Sequence, residues 1–235
     1  MADQEPNYFI KPYIDAEGAH NLRNYRYRGI DDGLAYIYFF EPLANWLVQY
    51  IPMWVAPNVV TFCGFVLVLF PLVILYTCIG CALIGDVPSW FCLLQGLCFF
   101  FYRVCDETDG KQARKTKNGS PLGMVFDHGV DCFAAGLSPI IFARILQIGD
   151  NFIAKIFFMT HYQAFYFVSL EHYYLGVLRL PPINGVQDGS IIVLFLSLYI
   201  TYAGNNVFAT PTGYDAPSRE SFSSIQAIQA TQDCG

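Results

Sequence analysis

No acidic or basic residue interrupts the chain between Glu41 and Asp86. A soluble helix of that length would need charges on the face that meets water. A transmembrane helix needs about 20 apolar residues, so this stretch holds one full span and further membrane-contacting chain. Composition agrees: 54% of the 235 residues are hydrophobic, 17% aromatic and 14% charged, where soluble domains carry about 25% charge. A soluble enzyme, a disordered chain and a disulfide-rich secreted domain are excluded. The sequence predicts an all-α fold, a polytopic membrane helical bundle.

Hydropathy places five spans, near 58–83, 88–107, 122–147, 151–178 and 186–207. The second, third and fourth carry charges inside or at their ends, which is costly in hydrocarbon and marks function. A polar segment over 1–32 comes first. An amphipathic stretch over 33–50 follows, in which Tyr36, Phe39, Phe40, Leu43, Trp46, Leu47 and Tyr50 recur at helical spacing. That pattern predicts an interfacial helix with Trp46 and Trp54 at headgroup depth; a helix covering a neighbour on the soluble side is the alternative. The bundle occupies 51–208, and 209–235 forms a polar tail without a further span. Met1 to Gln4 are acidic and lack an apolar run, which fits neither a signal peptide nor an Arg-rich transit peptide.

Charge sets the orientation. Lys111, Arg114, Lys115 and Lys117 lie in the loop between the second and third spans, just after Arg103. Lys11, Arg23, Arg26 and Arg28 precede the first span, on the same side after two crossings. The positive-inside rule puts both segments in the cytosol or its equivalent. The net charge of −6 argues against nucleic acid as a partner. Most of the 8 cysteines sit in apolar runs as small hydrophobes. Cys78 and Cys81 form a lone CxxC with no second pair or nearby His to complete a metal site.

The chemistry is concentrated between Asp106 and Asp131. On a helix continued past Arg103, Asp106, Asp109 and Ala113 share a face at i, i+3 and i+7. Asp127 and Asp131 share a face of the third span at i, i+4. A short loop makes the two helices antiparallel neighbours, so these acids can converge at the cytosolic edge. Like charges 4 Å apart repel by about 4 kcal/mol at an effective dielectric near 20, and desolvation adds several kcal/mol per ion. Either some are protonated or divalent cations neutralise them. All-oxygen ligation favours a hard ion, Mg²⁺, Mn²⁺ or Ca²⁺, and two such ions suit phosphoryl chemistry. Gly110 and Ala113 leave room for a flat ligand, and Lys111, Arg114, Lys115 and Lys117 can meet phosphates. The alternative is a charged helix pair that is packed structurally.

The pattern D-x2-D-G-x2-A-R-x8-G-x3-D-x3-D runs from Asp106 to Asp131 without a departure. It resembles the signature of the CDP-alcohol phosphotransferases. DGKQARKT, SPLGMVFDHGVD and IPMWVAPNVVT resemble the eukaryotic choline/ethanolamine phosphotransferase branch, and LEHYYLGVLRLPPINGVQDG its ethanolamine members. The resemblance covers about residues 20–205.

That resemblance implies an enzyme that moves phosphoethanolamine or phosphocholine from a CDP-alcohol to diacylglycerol and releases CMP. Asp106, Asp109, Asp127 and Asp131 would hold Mg²⁺ or Mn²⁺, two ions in all, with Asp131 also the general base. His128 would assist proton transfer, or else pack. Asn58, Thr61, Gly110, Lys111, Ala113 and Arg114 would bind the cytidine nucleotide of CDP-ethanolamine or CDP-choline. Glu171, His172, Tyr174, Asn184 and Asp188 would shape the headgroup or lipid side of the pocket. The resemblance implies an integral protein of the endoplasmic reticulum. Members of this branch are similar to longer proteins with more spans, which leaves a second expectation open: an accessory structural subunit of a larger assembly, for example in the mitochondrial inner membrane.

Overall fold

Pro57 and Pro121 open the two most apolar helices, each at a first-turn position where the missing N–H costs nothing. They belong to a computed structural model that describes residues 14–208 apart from Arg26 and Cys81. The expectations for residues 1–13, for Arg26 and Cys81, and for the tail from 209 onward lie outside the described residues.

Helix α1 spans Ala16–Asn24, with the Asp15 carboxylate accepting the Gly18 N–H. Strand β1 follows at Gly29–Asp31. A wide turn over Tyr36–Phe40 leads into α2, Glu41–Tyr50. Helix α3 covers Pro57–Ile74 and widens over Leu75–Ile79, just beyond the helix-interior Pro71. Helices α4 (Ser89–Thr116), α5 (Pro121–Ile145), α6 (Phe152–Leu175) and α7 (Gln187–Ala203) complete the bundle. Strand β2, Leu178–Leu180, pairs in parallel with β1. The all-α expectation therefore holds apart from this one small strand pair. No periodicity marks three-residue strands, and they form where the chain before α2 meets the chain after α6.

Pro57–Ile79 and Pro121–Ile145 are long and apolar enough to cross a membrane by themselves. Helix α4 is longer, 28 residues or roughly 42 Å at 1.5 Å per residue. Its first half is apolar, and its second half carries the charged motif.

Helix α4 packs against α3 on one side and α7 on the other, while α3 also packs against α5, and α5 against α6. Small residues let these helices approach closely. A Cβ at Gly96 of α4 would lie 2.5 Å from the Ser197 Cβ of α7, and one at Gly64 of α3 would lie 3.2 Å from the Cys105 Cβ of α4. One end of the bundle is an apolar plug of Leu75, Val87, Phe91, Cys92, Ile141, Ile145 and Ile200. Arg144 is buried at that end, where its guanidinium donates to the carbonyls of Ala82, Ile84 and Asp86. The charge inside this span thus pins a loop. Val68, Tyr102, Val130 and Ala134 form a second apolar layer next to the polar end.

Helix α2 covers a neighbour, as the alternative expectation had it. Phe40 and Ala44 are buried, with α2 packed on α4, while Trp46, Tyr50 and Trp54 point outward, Trp54 at 84% exposure.

Candidate active site

The turn between α4 and α5 sets the register of the motif. Lys117 closes α4 in the left-handed region at φ 57°, and Ser120 caps α5 by accepting the Gly123 N–H at 3.0 Å. This reversal places Asp106 of α4 beside Asp127 and Asp131 of α5. One carboxylate oxygen from each lies within 4.8 Å of the others, and all three residues are half-buried.

Each acid has a distinct setting. Asp106 is ion-paired with Arg103, whose guanidinium also reaches Glu107 at 3.5 Å. Asp131 accepts a hydrogen bond from the buried Tyr102 hydroxyl at 2.5 Å. Asp127 Oδ1 is buried with no hydrogen-bond partner among the described residues. Asp109 is buried and accepts the Thr61 hydroxyl at 2.5 Å, with its carboxylate against that of Asp127. The motif's acids therefore divide: Asp106, Asp127 and Asp131 converge, while Asp109 turns toward α3. An unpartnered carboxylate oxygen among negative neighbours is what a hard divalent cation completes, so these residues fit a metal ion.

Around Gly110 the helix surface is open: a Cβ there would meet only Arg114 Nη1, at 3.7 Å. Ala113 is half-buried and Arg114 exposed. Asn58, at the start of α3, lies by the start of α5, where a Cβ at Gly123 would be 3.4 Å from its Oδ1. The lysines are placed differently. Lys111 is buried, 3.8 Å from Glu41 and over the Tyr36 ring. Lys115 donates to the carbonyls of Val48 and Ile51 at the end of α2. Both hold α2 to α4, so the exposed cations by the motif are Arg114 and Lys117.

The residues expected on the headgroup side scatter. His172 stands with His128 and Tyr27 in a ring cluster, with centroids 5.6 to 6.0 Å apart. Glu171 lines an open groove of about 470 Å³ with Asp32, Arg179, Pro181 and Pro182. Tyr174 is exposed beside Tyr173. The Asp188 carboxylate accepts the Asn184 N–H, and Asn184 Oδ1 accepts the N–H groups of Val186 and Gln187. Asn184 and Asp188 thus shape the turn into α7.

Several site residues carried no signal in the sequence reading. Tyr27 closes over His128; burial, with the charge of Asp127 next, pushes its phenol up to about 12. Tyr102, Glu107, Gln187 and Asp31 join the polar end through hydrogen bonds. Burial raises the Asp31 carboxyl above the usual carboxylate range, against the opposing pull of the Gly33 N–H. Glu107 could have been found from its charge within a turn of Asp106; Asp31 and Gln187, 156 positions apart, share no local pattern.

Fold and site together describe a helical bundle with two helices long and apolar enough to cross a membrane and, at its polar end, a carboxylate cluster able to hold a metal ion. The family model described as CDP-alcohol phosphatidyltransferase matches residues 54–207, and the chain belongs to that family. It is 32% identical over 206 residues to choline/ethanolaminephosphotransferase 2 of Arabidopsis thaliana, covering 87% of this chain and 52% of that protein. It is 30% identical over 189 residues to choline/ethanolaminephosphotransferase 1 of Saccharomyces cerevisiae, covering 80% and 48%. It is 30% identical over 195 residues to CDP-diacylglycerol--serine O-phosphatidyltransferase of Encephalitozoon cuniculi, covering 83% and 50%. The chain spans about half the length of the curated relatives it matches.

Proposed function

We propose that this chain carries the catalytic site of a phospholipid-synthesis transferase, which moves phosphoethanolamine or phosphocholine from a CDP-alcohol to diacylglycerol. The observation that carries the reading is the convergence of Asp106, Asp127 and Asp131 within 4.8 Å, beside the open helix surface at Gly110. In this reading α3 to α7 each cross the membrane, and the motif end faces the cytosol. The length of α4 supports this: its charged half extends beyond a hydrocarbon core of about 30 Å. The relatives' names divide between choline/ethanolamine and serine chemistry. The resemblance of the Leu170–Gly189 segment favours the amino-alcohol, ethanolamine first.

Asp106, Asp127 and Asp131 would hold Mg²⁺ or Mn²⁺, with Asp109 behind Asp127. A bound divalent ion supplies charge neutralisation at the phosphates. The nucleotide lies along Gly110 and Ala113, where a flat base can approach the helix, with Arg114 and Asn58 at its rim. Tyr102 occupies Asp131 Oδ1, so proton uptake falls to Oδ2. The diacylglycerol hydroxyl gives its proton there, its oxygen bonds to the phosphorus of the amino-alcohol phosphate, and the bond from that phosphorus to CMP breaks. His128, beside Tyr27 and His172, stands where it can pass the proton outward. Positioning and electrostatic stabilisation carry the rate.

The test is CMP release by the purified chain in lipid vesicles with Mg²⁺, diacylglycerol and either CDP-ethanolamine or CDP-choline. Release is expected with metal and all substrates, and not from Asp131→Asn. No release from either CDP-alcohol would overturn the reading and favour a structural subunit.

A further inference from the structure

We infer that Asp31 and Gln187 are positioning residues of the metal site, acting on Asp106 through Glu107 and Arg103. The inference rests on the reading of the carboxylate cluster as a divalent-cation site.

A continuous set of bonds joins the chain before α2 to the cluster. The Gly33 N–H donates to Asp31 Oδ1 at 2.8 Å. Gln187 Nε2 donates to Asp31 Oδ2 at 2.6 Å and to Glu107 Oε1 at 2.9 Å. Glu107 Oε1 also takes Arg103 Nη2 at 3.5 Å, and the same guanidinium nitrogen pairs with Asp106. Gln187 is 1% exposed and Arg103 8%.

The chemistry of each link says what the set does. Arg103 is shared between two carboxylates, and only one of them, Asp106, belongs to the cluster. How firmly Asp106 is held depends on where Glu107 sits. Glu107 is fixed by Gln187, and the amide does this because a single –NH₂ group supplies two protons to two acids that would otherwise repel. Gln187 Oε1 stays buried without a hydrogen-bond partner among the described residues. Asp31 in turn is held by the parallel pairing of β1 with β2 and by the turn at Gly33. Losing Asp31 frees the Gln187 amide, Glu107 shifts toward Arg103, and Asp106 loses the partner that orients it. Outer partners of metal-binding carboxylates act in this way.

Mn²⁺ alone is the probe, titrated into the purified full chain in detergent and followed by electron paramagnetic resonance. Asp31→Ala and Gln187→Leu are expected to bind Mn²⁺ roughly 10-fold more weakly than wild type. Asp31→Glu keeps two carboxylate oxygens, one for the Gly33 N–H and one for Gln187, and is expected to bind Mn²⁺ more tightly than Asp31→Ala. Thermal unfolding of each variant is recorded in parallel. Should Gln187→Leu not fold, the Asp31 pair decides: equal Mn²⁺ affinity of the Ala and Glu variants overturns the inference. Wild type binding Mn²⁺ with all variants equal to it overturns this inference alone. Wild type binding no Mn²⁺ overturns the metal reading, and this inference with it.

Discussion

The Tyr102 hydroxyl donates to Asp131 Oδ1 at 2.5 Å, so a buried phenol on α4 orients the acid on α5 to which the proposed function gives the proton transfer. It links the apolar layer of Val68, Tyr102, Val130 and Ala134 directly to the carboxylate cluster. Hydrogen bonds to charged groups contribute about 1.5–3 kcal/mol. Tyr102→Phe is therefore expected to lower kcat for CMP release about 10-fold, with the KM for the CDP-alcohol little changed. Steady-state kinetics in vesicles check it; an unchanged kcat would show that Asp131 needs no such partner.

Asp127→Asn removes a carboxylate from the cluster and exchanges an unpartnered oxygen for an amide. Mn²⁺ affinity is expected to fall by more than about 10-fold, because a neutral ligand compensates the ion poorly. Chelation of the wild type is expected to abolish CMP release, and added Mg²⁺ to restore it. Activity that persists after exhaustive chelation argues against a metal role for these acids.

Thr61→Val leaves the Asp109 carboxylate buried beside a methyl group in place of a hydroxyl donor. The expected cost is about 1–3 kcal/mol of stability, read as a lower melting temperature in detergent. Thr61→Ser keeps the donor and is expected to melt like the wild type. Equal melting of all three would show that Asp109 is satisfied otherwise.

Gly96→Ala places a methyl group 2.5 Å from the Ser197 Cβ, where α4 and α7 cross. Overpacking of this kind costs about 1–3 kcal/mol. Gly96→Ala combined with Ser197→Gly is expected to recover most of that loss, because the added and deleted atoms share one contact. Melting temperatures of the two single variants and the double variant decide it.

The residues alone determined helices α3 to α7 and most of their approximate ends, because long apolar runs act locally; α1, and α4 beyond 107, lie outside any apolar run and were not placed by it. They also brought Asp106 to Asp131 into one motif, because a helix period and a short turn leave few ways to arrange those acids. Tertiary packing decided the rest. Asp109 turns to Thr61 because α3 lies against α4, which no spacing within the motif reveals. Lys111 and Lys115 reach α2 because that helix folds back onto α4; in sequence they look the same as the exposed Arg114 and Lys117. Asp31 meets Gln187 only because β1 pairs with β2, a contact across most of the chain that leaves no periodic trace. Direction along a helix is a local property, whereas the partner a side chain finds depends on which neighbour the whole bundle sets beside it.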